Sequence, residues 1–217
     1  MIAKLDDLKN YAELAQASYF YFDLDGYVLK ENNITITLNE IISSNYNGKT
    51  AGKKIKIGHE YYLTDTCELN GEFGEIQAKN FLERYDLLKH CPNTDSGFSA
   101  TLFQNKFTKT FIFAIRGTKG ILNRDLWISD MQLLDQNVPN QYKDMLNFYQ
   151  ACLDTYPQMK EKQSLTLTGH SLGGTLAQLL ALSLCTANDR GNINEVYTFN
   201  APGAKNLKPA YNIIRLN

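Results

Sequence analysis

Between Leu165 and Leu182 the sequence passes from a short run, Leu165-Thr166-Leu167-Thr168, through Gly169-His170-Ser171-Leu172-Gly173, into an apolar stretch rich in Leu and Ala. No other feature constrains the fold as strongly. The spacing predicts a strand, a turn of minimal length and a helix. The turn is too sharp for side chains two residues either side of Ser171, hence Gly169 and Gly173. The surrounding pattern repeats the theme. Residues 140 to 156 predict a helix with Tyr142, Met145, Leu146, Tyr149 and Leu153 on one side, and Pro157 ends it. Residues 164–168 predict a strand, 172–187 a helix, 195–199 a strand and 211–216 a further strand. Such alternation implies parallel strands joined by crossover helices, an α/β class fold.

Ser171 is the chemical candidate in this turn. Its Oγ would stand exposed at the C-terminal edge of the sheet, above a helix N-terminus whose N–H groups and dipole favour developing negative charge. The bland alternative makes Ser171 a helix N-cap between packing glycines. His170 is adjacent, but neighbours on so tight a turn point in different directions, and it reads as structural. A second constellation is Phe113-Ala114-Ile115-Arg116-Gly117-Thr118, a buried strand ending in a glycine and a hydroxyl residue. An oxyanion hole needs two preorganised N–H donors, one after the nucleophile and one from the loop after an earlier strand. Leu172 and Thr118 fill those positions.

The rest of the chain adds a frame. Leu5, Leu8, Tyr11, Ala12, Ala15 and Tyr19 predict an amphipathic helix over residues 3 to 20 with one buried stripe. Ile34, Ile36 and Leu38 alternate with polar residues, and Asn47-Gly48 and Ala51-Gly52 mark turns, so residues 33–63 predict short strands or a hairpin. Ile76, Phe81, Tyr85 and Leu88 predict a helix over 74–89, stopped at Cys91-Pro92-Asn93. Ser99 to Phe103 and Thr110 to Ile115 predict a hairpin. The 217 residues suit one domain, with a helix and strand region over 1–95 and a nucleophile-bearing core over 96–217.

With a net charge of -1 and mixed signs along the chain, no basic stripe is present and nucleic acid is not an expected partner. The first residues are acidic where a signal peptide would be basic, and no apolar run is long enough for a membrane span, so cytoplasmic synthesis is expected, with signal-independent release left open. The four cysteines, Cys67, Cys91, Cys152 and Cys185, lack metal-ligand spacing and read as free thiols in or near the core.

The run from Ser96 to Asn217 resembles the class 3 (fungal-type) lipase family of the α/β-hydrolases. The resemblance is carried by Ser96-Gly97-Phe98-Ser99-Ala100-Thr101-Leu102-Phe103, Ala114-Ile115-Arg116-Gly117-Thr118, Trp127-Ile128-Ser129-Asp130, Thr168-Gly169-His170-Ser171-Leu172-Gly173-Gly174 and Val196-Tyr197-Thr198-Phe199-Asn200-Ala201-Pro202-Gly203, in matching order and spacing. It implies an α/β-hydrolase-like, mostly parallel sheet with crossover helices and a serine hydrolase acting on carboxylic esters, lipid or other. It also implies a lid at Lys119 to Ile128, where Ile121, Leu122, Leu126 and Trp127 would cover the site or make transient contact with a lipid surface. No metal or cofactor is implied by a serine mechanism. In this fold the order is Ser, then Asp or Glu, then His, yet no histidine follows Ser171, and the later acids are Asp189 and Glu195. Asp189 is expected far from Ser171. The triad Asp and His are therefore not found in the chain, which reads as the nucleophile half of such a fold, incomplete at the C-terminus and inactive or nearly so alone. A non-catalytic binding or assembly module is the alternative, and a site completed by His59, His90 or another chain is a third. An uncovered sheet edge further predicts self-association.

Overall fold

A computed structural model describes residues 2–117, 140–185 and 189–204. They form two compact units, one of residues up to Ser18 together with those from Leu87 on, the other Tyr19–Asp86.

The first unit is built on the strands Tyr85–Cys91 (β4, which enters the unit at Leu87), Ala100–Asn105 (β5), Phe111–Ile115 (β6), Leu165–His170 (β7) and Ile193–Phe199 (β8), in the order β4-β5-β6-β7-β8. β5 and β6 are antiparallel, whereas β6, β7 and β8 run parallel. The fold is of the α/β class, with a mixed sheet. The predicted hairpin is β5–β6, its turn held by Asn105 Oδ1, which accepts from the Phe107 and Thr108 amides. The apolar run of β6 is buried throughout.

Alternation along β7 explains both faces of the sheet. Leu165 and Leu167, in register with Phe111 and Phe113, join the core made by the helices Asn140–Thr155 (α4) and Leu172–Leu184 (α5). The Phe113 ring lies 5.4 Å from that of Phe148 and 6.1 Å from that of Tyr149. All five residues of the predicted α4 stripe are buried. Thr166 and Thr168 turn the other way, toward the helix Ile2–Ala17 (α1), where the Thr168 hydroxyl donates to the Tyr11 carbonyl at 3.0 Å. On that face Tyr11 stacks on Tyr197 of β8 at 4.2 Å.

The stripe expected on α1 is corrected at its start. Leu14, Ala15 and Ala17 are buried, but Leu5 and Leu8 are exposed. The cause is position, because Lys4 and Leu8 reach β8, the last strand of the sheet among the described residues, lining a groove of about 550 Å³ with Cys185, Val196 and Tyr197.

The second unit holds the strands Val28–Leu29 (β1), Thr50–Ile57 (β2) and Glu60–Glu68 (β3), an antiparallel sheet in the order β1-β2-β3, with the helices Leu38–Ile42 (α2) and Glu75–Arg84 (α3). The hairpin expected within 33–63 is β2–β3, later in the chain than Ile34-Ile36-Leu38. Ile36 is buried, Ile34 is exposed, and Leu38 opens α2. Gly48 has the positive φ of a turn. Ala51-Gly52 does not turn. It lies inside β2, where the register shifts between Ala51 and Lys53 and a Cβ on Gly52 would press on Thr66 and Leu63.

The helix predicted over 74–89 stops at Arg84. Tyr85, at φ -126 and ψ 137, is already extended, and β4 takes its place beside β5. Pairing with a sheet edge overrides the helical spacing of Tyr85 and Leu88, so Cys91-Pro92 ends a strand rather than a helix.

Candidate active site

Ser171 links the last residue of β7 to the first of α5 with φ 54 and ψ -126, a backbone conformation that a residue with a side chain adopts only when its surroundings impose it. The surroundings are visible. The Ser171 N–H donates to the Phe199 carbonyl of β8 at 2.9 Å, and the Ser171 carbonyl accepts from Gly174 and Thr175 at 3.0 and 3.3 Å. Glycine makes the approach possible. A Cβ on Gly169 would run into the Gly173 backbone, one on Gly173 into the Ile115 carbonyl oxygen and Arg116, and one on Gly174 would lie 2.5 Å from the Ala201 Cβ.

This geometry separates the two readings of Ser171. It occupies the N-cap position, but its side chain makes no capping bond to the helix, and its φ is not the extended value a capping serine takes. The residue is half-buried. Leu172 opens α5, so its N–H is among the amide donors that a helix start leaves without an acceptor in the helix. Because Gly173 closes on Ile115 and Arg116, the exit of β6 and the start of α5 come together, as an oxyanion hole requires. Thr118 lies outside the described residues, as do Ile121, Leu122, Leu126, Trp127, Asp130 and the strand expected at 211–216.

Supporting residues emerge that sequence reasoning passed over. Arg116 is buried at the end of β6, its guanidinium donating to Asn93 Oδ1 and, at 3.2 Å, to the Gly97 carbonyl, while its amide donates to Ser99. Asp144 of α4 accepts from the Thr94 and Ser96 hydroxyls at 2.8 and 2.6 Å, and Gln141 donates to the Ser96 carbonyl. The loop before β5 is thus tied to α4 and to the exit of β6. After β8, the Thr175 hydroxyl and the Gln178 amide donate to the Pro202 carbonyl, and the Ala204 N–H donates to Gln178 Oε1. The polar residues one turn into α5 were the available signal. In a helix otherwise buried by Leu and Ala, Thr175 and Gln178 needed partners.

The candidate acids and bases lie elsewhere. Glu195 is in register with Thr166, five residues before Ser171, which separates them by roughly 16 Å along the strands. Asp189 follows the far end of the 13-residue α5, roughly 20 Å from its start, and accepts from the Gly191 amide. His90 is bonded to Thr101 on β5 at 2.8 Å, and its strand is three places from β7, roughly 14 Å away. His170 is paired opposite Phe199 at the end of β7, and His59 is exposed at the β2–β3 turn.

The thiols offer no rival nucleophile. Burial, and then the Asp144 carboxylate, push the Cys91 thiol up, and burial raises Cys152 to about 12, so both stay protonated near neutrality. Among the described residues no group of three or more His, Cys, Asp or Glu side chains is placed to hold a metal.

Residues 112–213 match the model of the lipase (class 3) family. An uncharacterized protein of Rickettsia prowazekii is 33% identical over 113 residues, which are 51% of this chain and 30% of that protein. A lipase structure from Rhizopus microsporus var. chinensis is similar at 17% identity and a TM-score of 0.47, over 93% of this chain and 59% of that one. Lipase II from Rhizopus niveus is similar at 14% identity and the same TM-score, over 93% and 64%. The chain thus spans under two thirds of each of these relatives. The matched stretch contains β7, the Ser171 turn and α5, and over residues 112–213 this chain is similar to the class 3 lipase family.

Proposed function

We propose that this chain carries the nucleophile of a lipase-type carboxylic ester hydrolase, with Ser171 in that role and the Leu172 and Thr118 amides as oxyanion donors. The observation that carries the reading is the strained backbone of Ser171, held by Phe199 and Gly174, with a side chain that does not cap its helix. A serine in that position has been withheld from the structural role its place in the helix would give it. Attack on an ester carbonyl would place the new oxyanion over the start of α5, where amide donors stabilise it.

The hydroxyl also needs a base, and a base needs an acid to orient it. Glu195, Asp189 and His90 are spent or distant, so the 217-residue chain alone is expected to be inactive or nearly so. The lid assignment of Ile121, Leu122, Leu126 and Trp127, its contact with lipid, and self-association through the outer edge of β8 belong to the same reading.

Labelling of the 217-residue chain with a fluorophosphonate, beside Ser171→Ala, tests it. Slow labelling that the substitution abolishes is the expected result. Rapid, complete labelling would overturn the inactivity of the chain, and labelling equal in the two proteins would remove Ser171 from the chemistry.

A further inference from the structure

We propose that the β2–β3 hairpin is a docking arm for an anionic lipid surface. β1 pairs only with Ala51 and Gly52 at the base of β2, so from Lys53 outward the hairpin is a two-stranded ribbon. Lys53, Lys54 and Lys56 are all exposed, and between Lys53 and Leu63 Glu60 is the one acidic residue. Around them stand large residues that a solvated ribbon would not favour. Ile57 is 60% exposed, Tyr61 62% and Tyr62 47%.

The arrangement sorts by chemistry. Lys54 and Lys56 flank the Tyr61 ring, their ammonium groups 4.6 and 5.8 Å from its centroid, so charge and aromatic surface share one face. Ile55 faces Tyr62 and Ile57 faces Glu60 across the ladder on the other. The Tyr62 hydroxyl donates to Glu60, which draws that carboxylate back along its own strand. Tyrosine rings favour the boundary between headgroup and acyl chain, and an isoleucine at the tip buries its surface there. Lysines on long stems reach lipid phosphates from the same depth.

A nucleic acid fits less well. Isoleucines neither stack on bases nor pair with phosphates, and Glu60, Asp65 and Glu68 along β3 oppose a polyanion following the ribbon. The proposal does not depend on the chemistry of Ser171, and its test uses the Ser171→Ala chain so that the two can fail separately.

Flotation is measured with vesicles of phosphatidylcholine alone and of phosphatidylcholine with phosphatidylglycerol in equal parts. Binding is expected to the second and to be weak on the first. Each lysine near an anionic surface strengthens partitioning about fivefold, so Lys54→Gln with Lys56→Gln should weaken it on the order of 25-fold. Ile57→Ser with Tyr61→Ser should weaken it as well, and both pairs lie at exposed positions, so unchanged circular dichroism is expected. Binding that survives both double variants, or that is equal on the two vesicles, overturns the proposal. So does the absence of vesicle binding together with an oligonucleotide complex lost in the lysine variant, which would assign the arm to nucleic acid.

Discussion

Ser171 holds a φ of 54, where glycine would sit without strain. Ser171→Gly is therefore expected to raise stability by about 1 kcal/mol while abolishing fluorophosphonate labelling, which chemical denaturation and labelling read separately. Gly173 bears the opposite constraint. A methyl there meets the backbone of Ile115 and Arg116, which cannot step aside, whereas one on Gly203 meets nothing within 4 Å. Gly173→Ala should cost about 2 to 3 kcal/mol and Gly203→Ala should be close to neutral in the same urea titration. The spacing of glycines around Ser171 was legible in the sequence because it is local. The bonds of Arg116 to Asn93 and Gly97, and of Asp144 to Thr94 and Ser96, were not, since each joins residues 19 to 50 positions apart.

Elements whose burial follows a single period were read well. β6 and α4 each bury what their spacing predicts, because each packs within one layer of the first unit. The readings failed where a partner strand or an edge intervened. Tyr85 and Leu88 kept helical spacing but were drawn into β4, and Leu5 and Leu8 kept the stripe but are exposed, Leu8 in the groove at β8. One consequence of the α4 core can be measured. Burial raises Tyr149 from 10.0 and Cys152 from 9.0, each to about 12. The unfolded chain releases these protons first, so their contribution is whole below pH 9 and is lost as pH rises toward 12. Urea midpoints measured across that window should fall, and less steeply in Cys152→Ala.

For the molecule as a whole, the strand, tight turn and helix around Ser171 were legible, whereas an acid and base to activate it would be long-range partners, and the described residues bring neither to Ser171. The outer side of β8 is a further property of the whole. Among the described residues β8 ends the sheet, and its groove exposes Val196 of the strand and Leu8 of α1, a surface on which strands of other chains can pair. Light scattering is expected to show concentration-dependent association that Val196→Lys suppresses, and a strictly monomeric parent chain would remove the idea.

The bond from Thr168 to the Tyr11 carbonyl spans 157 residues. A ribosome adding 5–20 residues per second completes α1 about 8 to 30 seconds before the strand that shelters it exists. Throughout that interval α1 lacks β7 and β8, two of the strands it packs against, while Leu14, Ala15 and Ala17 already carry apolar surface, which makes the first helix a natural client of a chaperone waiting at the tunnel exit.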